Sequence, residues 1–251
     1  MYKTDNRLIE APEDTIIWRY LSFTSFYLML LNQSLFFRRL DKYSDQLEGT
    51  LHDKTIAELY ESKRKFVWHD AEAKKMAENE LANIISYKAH SLSNSWTIND
   101  DEDYAMWKIY LQTRAEGVGI KSTVGRLKKC LMENTDFEFF SGKISYEVPL
   151  YKDINVFSVT TNKRNAYSYE KEYRALMLLQ FSISKENDKQ IRVPKFEIGA
   201  EVKIKIEELV DEIYISPFCE SWFRPVIDST INYLLPNFDL KKIRQSGIKE
   251  K

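Results

Sequence analysis

Apolar and polar positions change period several times along the chain. Residues 15–23, TIIWRYLSF, are rich in β-branched and aromatic side chains and predict a strand. Ser22 or Thr24 can cap a short helix over SFYLMLLNQ. SLFFRRLD (34–41) predicts a second strand, and KYSDQLEGT after it a loop. From Thr55 to about His90 there is no Gly or Pro, and Ile56, Leu59 and Tyr60, then Phe66 and Val67, then Leu81, Ile84 and Ile85 recur at helical spacing. This stretch, about 52–90, predicts one broken helix or two consecutive ones, inserted between strands. Further strands are predicted over 91–99, 117–123, 139–149, 170–181, 201–206 and 211–217, with a last one within 239–247. Helices are predicted over 100–111, where acidic residues favour the N-terminus, over 124–133 and over 222–235. The segment 151–171 reads as irregular, partly helical around TNKRNAYS (161–168). About eight strands and five or six helices in uneven order imply an α+β fold with a mixed or antiparallel sheet.

Composition narrows this picture. Seven Gly and six Pro, with no Ser/Gly/Pro-rich stretch, give no linker, so one domain spanning 1–251 with a helical insertion is expected. Thirty-seven basic and 38 acidic residues leave a net charge of −1. That balance argues against strong nonspecific nucleic-acid binding, which needs a basic surplus to displace counterions. The polar start MYKTDNRLIEAPEDT is unlike a secretory signal, and no apolar run approaches the roughly 20 residues of a membrane span. Two cysteines, Cys130 and Cys219, lack metal-ligand spacing. A cytoplasmic protein with reduced thiols and no membrane partner is expected.

Three stretches could carry chemistry. In WRYLS, Arg19 lies between Trp18 and Tyr20, which point to the opposite face of a strand. It could clamp a phosphate or carboxylate with its donor fork, or sit in a surface ion pair. In SYEKEYRALMLLQ, Glu170, Glu172 and Arg174 would share one strand face. They read either as a solvated charge ladder or as a carboxylate pair in a cleft, the two acids differing in role through environment. In NSWTINDDEDYAMWKIY, Ser95 and Trp96 close a strand, while Met106, Trp107 and Tyr110 follow at a helical spacing that serves a core more often than a ligand cage. His52, His69 and His90 are scattered, and no metal site, GxGxxG, P-loop or nucleophile elbow is visible. Asp45 and Glu48 in DQLEG are expected to be structural, bonding loop amides or the nearby arginines.

The order of motifs carries a resemblance. WRYLSFTSFYLMLLNQSLFFRRLDKYSDQLEG, then SNSWTINDDEDYAMWKIYLQTRAEGVGIKST, then KRNAYSYEKEYRALM, then IYISPFCESWFRPVI, together resemble the bacterial domain-of-unknown-function family 2971 over nearly the whole chain. The chain departs from that pattern in its longer helical insertion and in Arg38, where many relatives carry serine. The layout is also similar to a minimal ADP-ribosyltransferase, with an Arg or His on an early strand, a hydroxyl or aromatic motif on a middle strand and an E-x-E on a later one. This resemblance implies that Glu172 and Glu170 are catalytic and that Arg19, Tyr20, Ser95, Trp96, Trp107 and Tyr110 bind NAD, with no metal. A carboxylate would stabilise the ribosyl cation, aromatic rings would hold the nicotinamide and arginine the pyrophosphate. The implied function is an NAD-consuming ADP-ribosyltransferase or NAD glycohydrolase. It would act on an unknown macromolecular acceptor as a toxin-like effector in bacterial phage defence, with a partner or inhibitor protein possible. A noncatalytic sensor or interaction module binding a protein, nucleotide or nucleic acid is the alternative. A metal-dependent nuclease is a weaker third, because the acids do not cluster beyond Glu170 and Glu172.

Overall fold

The first strand, β1 (Ile16–Ser22), hands its last residue to a cap: the Ser22 hydroxyl accepts the Ser25 N–H and starts α1 (Phe23–Asn32). Gln33, with φ 46°, ends α1, and β2 (Ser34–Arg39) follows. The helical stretch expected over about 52–90 forms two helices, α2 (Asp53–Arg64) and α3 (Asp70–Ala89). Next come β3 (Ser91–Ile98) and α4 (Tyr104–Leu111), which Asp103 caps by accepting the Ala105 and Met106 N–H groups. Then follow β4 (Gly117–Thr123), α5 (Val124–Met132), β5 (Phe139–Lys143), α6 (Val156–Thr160) and β6 (Glu172–Leu178). The chain continues through β7 (Ser182–Glu186), β8 (Lys189–Val193), β9 (Gly199–Lys203), α7 (Ile206–Leu209) and β10 (Glu212–Ile215). It closes with α8 (Phe223–Leu234) and β11 (Ile243–Gln245). This computed structural model describes residues 1–43, 51–179, 182–186, 189–193 and 195–248.

The fold is a mixed α/β one around an open sheet, and three expectations change in detail. The strand expected over 139–149 ends at Lys143, because the chain then turns to bridge Ser145 with Asn162. The strand expected over 170–181 begins only at Glu172, since Glu170 closes a 3-10 turn (Asn165–Glu170) and Lys171 has φ 43°. Glu170, Glu172 and Arg174 therefore do not share one strand face. The β7–β8 hairpin was not expected at all.

The main sheet runs β11-β10-β4-β1-β3-β2-β9, with β6 also paired to β3 and β5 beyond it. β10 and β11 are parallel, and the other pairs in this sheet are antiparallel. β6 follows β3 over Ser91–Thr97, so β1 and β2 share the other edge of β3. β1 takes Thr97 and Ile98, and β2 takes Leu92 and Ser93. Between these pairings the sheet forks. One face packs Ile17, Phe37, Trp96 and Met177 against α1, α5 and α8 through Phe26, Leu131 and Ile227. On the other, Trp18 and Tyr20 pack with Met106, Trp107 and Leu111 of α4. Gly119 makes room there, since a Cβ would stand 3.1 Å from the Trp107 ring. α2 and α3 are held by a Thr55 hydroxyl donating to Pro149 O and by the Tyr151 hydroxyl donating to Glu80. Among the described residues, no helix is long and apolar enough to cross a membrane.

Candidate functional site

The fork in the sheet creates the site. Where neither β1 nor β2 pairs with β3, the Arg19 guanidinium enters the opening and donates to the Ser95 carbonyl. A cleft of about 760 Å³ lies over this opening, within the size range of small-molecule sites. β3 contributes Ser93 and Ser95, β2 Arg38, β6 Glu172 and α4 Tyr110. Tyr43 follows β2, and Lys163, Tyr167 and Glu170 come from the connection before β6. Arg19 also lines a smaller pocket of about 230 Å³ beside α1, with Leu28, Met29 and Phe36.

The acidic end is closely knit. Arg174 is fully buried and donates its Nε to Glu172 Oε1 at 2.8 Å and its Nη1 to Thr160 O at 2.7 Å. Lys163 Nζ lies 3.3 Å from Glu172 Oε2 and 2.6 Å from Glu170 Oε2. Burial alone would raise the Glu172 pKa, but the charges of Arg174 and Lys163 and hydrogen bonds from Ser95 and Arg174 bring it below the ordinary carboxylate value. These partners favour the carboxylate form of Glu172. Its backbone N–H donates to the Tyr146 hydroxyl, whose own pKa is pushed up to about 12, first by burial. The left-handed Lys171 reverses the chain between the two acids, which lets residues from a 3-10 turn and a strand reach one ammonium.

The basic end differs. Arg19 bonds a carbonyl, and among the described residues no carboxylate forms an ion pair with it. Burial lowers its pKa, and Tyr110, Tyr43 and Glu172 counter that. A guanidinium remains charged under such shifts. Arg38 is exposed and donates its Nε to Lys42 O. The Tyr43 hydroxyl lies 2.6 Å from Ser93 Oγ, fixing the ring over the cleft, and burial raises the Tyr110 pKa.

Of the residues singled out by sequence, Arg19, Ser95, Tyr110, Glu170 and Glu172 line this cleft. Tyr20, Trp96 and Trp107 do not, which corrects the expectation that they bind a ligand here. Alternation along β3 turns Trp96 away from Ser95 into the core, where its Nε1 donates to Asn94 Oδ1 at 2.7 Å. Tyr20 and Trp107 meet edge to face at 4.8 Å in the second core, their polar atoms engaged by the Asp103 N–H and the Glu102 carboxylate. The solvated charge ladder is also excluded, since Glu172 is 4% exposed. Asp45 and Glu48 lie outside the described residues. Sequence reasoning missed Lys163, Tyr43 and Tyr167. The cation and aromatics in NKRNAYSYEKE were the available signal, but an irregular segment gives no periodicity that says where they point. Among the described residues, no group of three or more His, Cys, Asp or Glu side chains is arranged to hold a metal ion.

An anionic group could meet Arg19 and Arg38, while Glu172 and Ser95 could accept from or stabilise a hydroxyl-rich or cationic one. Comparison with family models, with curated proteins and with solved structures finds no match to this chain.

Proposed function

We propose that the cleft binds NAD and consumes it, as an ADP-ribosyltransferase or an NAD glycohydrolase. In this reading Arg19, with Arg38 at the rim, holds the pyrophosphate, and the Tyr43 and Tyr110 rings pack on the flat groups of the ligand. The bond between nicotinamide and ribose breaks with its electron pair leaving on nicotinamide. The ribosyl cation that remains is stabilised by the ionised Glu172 carboxylate. Water or an acceptor nucleophile then bonds the anomeric carbon and loses a proton. The observation that carries this reading is the meeting of Arg19, Ser95 and Glu172, from three separate strands, in one cleft. The test is direct: incubation with NAD should release free nicotinamide, and Glu172→Gln should abolish the release. No release, together with no heat on titration with millimolar NAD, removes the reading.

One observation favours a second reading, a noncatalytic binding module. Both oxygens of Glu172 already face cations of the chain itself, Arg174 and Lys163, which spends part of its charge. A module of this kind would bind NAD or another anionic nucleotide at Arg19 without releasing nicotinamide.

A further inference from the structure

Lys163 brings one ammonium into contact with two carboxylates that arrive on different elements. Glu172 opens β6, whereas Glu170 ends the preceding 3-10 turn. Lys163 Nζ lies 2.6 Å from Glu170 and 3.3 Å from Glu172, with the Tyr167 ring centre 4.9 Å away. Its own backbone is anchored, with the N–H donating to Ser145 O at 3.0 Å.

We propose that Lys163 is a positioning residue of the cleft: its ammonium, drawn between Glu170 and Glu172, holds the two carboxylates together as one charged pair and fixes Oε2 of Glu172 at the cleft wall. This rests on the reading of Glu172 as the working carboxylate. The two oxygens of Glu172 are served differently. Oε1 receives the rigid fork of Arg174, which is fully buried and tied to Thr160 O. Oε2 receives a compact ammonium on a four-carbon stem, shared with Glu170.

The groups facing Glu172 from the elements packed around it are Arg174 on its own strand, Ser95 on β3, Tyr146 after β5, Tyr110 on α4, Arg19 on β1, and Lys163 with Glu170 before β6. Among the described residues, Lys163 contacts both acids. Two carboxylates close enough to share one nitrogen repel each other. Without the intervening cation, one of the pair takes up a proton at higher pH. A role in stability alone would not produce that change.

The test is titration of the two carboxyls by carbon-13 NMR in glutamate-labelled protein, assigned through bonds, for wild type, Lys163→Met and Lys163→Arg. In Lys163→Met, one of the two signals should titrate about one pH unit or more above its wild-type position, and Lys163→Arg should restore it. The acid limb of NAD-dependent nicotinamide release should move up in step. A carboxyl shift in Lys163→Met, with neither nicotinamide release nor heat on NAD titration from the wild type, would remove the NAD reading and leave the role of Lys163 standing. Unchanged titration in a folded Lys163→Met overturns the proposal. Should that variant not fold, the unaltered protein decides: the nitrogen-15 signal of the Lys163 ammonium should shift as both carboxylates protonate, and a signal that stays still overturns it equally.

Discussion

The two ends of the cleft use arginine in opposite ways. Arg174, at the acidic end, is wholly buried and donates to Glu172 and to Thr160 O. Arg19, at the basic end, bonds one carbonyl and faces the cleft. The difference lies in partners more than in position, since both side chains stand beside β3 and near Ser95. A buried arginine with its acid beside it is part of the scaffold, because removing either member strands the other's charge. An arginine satisfied by a carbonyl keeps its charge available to a ligand.

Arg174→Ala should break the acidic end most severely. It leaves Glu172 buried with Lys163 as its remaining ion-pair partner, and a cost of about 3–5 kcal/mol in denaturant unfolding is expected. Glu172→Gln should approach that loss from the other side, so its effect on nicotinamide release must be read beside its unfolding curve. The pair also sets a pH dependence. The folded pKa of Glu172 lies below its ordinary value, so its contribution to stability is in place above the unfolded pKa and is lost as pH falls through the folded one. In Lys163→Met that loss should begin at higher pH, seen as an earlier fall in melting temperature on acidification.

Arg19→Lys should do the reverse of Arg174→Ala. Unfolding should change little, while NAD affinity, measured calorimetrically, should fall tenfold to a hundredfold, because a charge-assisted bond of this kind is worth about 1.5–3 kcal/mol. A large stability loss with unchanged affinity would make Arg19 scaffold as well, and the contrast between the two ends would disappear. Lys171→Gly tests the turn between the acids. Its left-handed φ costs a side-chain-bearing residue about 1–2 kcal/mol, so glycine should unfold no more easily than wild type, and any loss of nicotinamide release would then come from a loosened pair. Asp5→Asn marks the lower limit. Arg7 holds the Asp5 carboxyl at a pKa of about 2, first through a side-chain hydrogen bond, yet the pair lies at the surface and should be worth about 0–1 kcal/mol in unfolding.

How much of this the sequence shows depends on distance along the chain. β1, β3 and α4 are legible because alternation and helical spacing are local, and alternation separates Arg19 from Trp18 and Tyr20. The same alternation separates Ser95 from Trp96, so treating both as ligand contacts overlooked a rule the sequence already contained. Trp107 and Tyr20 illustrate a different limit, since aromatic residues fill cores and line pockets alike, and only packing against Gly119 decides between them. Glu170 and Lys163 reach Glu172 through a 3-10 turn and one left-handed residue, neither of which has a period to read. The cleft itself arises because β1 and β2 divide one edge of β3, a pairing between segments remote in sequence.

That divided edge has a mechanical meaning. β1 and β2 are two leaves hung from one post, β3, and the Arg19 guanidinium on the Ser95 carbonyl is an added tie from the β1 leaf to that post. The same guanidinium offers its donors to whatever enters the cleft. Recognition and this tie therefore draw on one group: a ligand that takes up those donors competes with the Ser95 carbonyl for them.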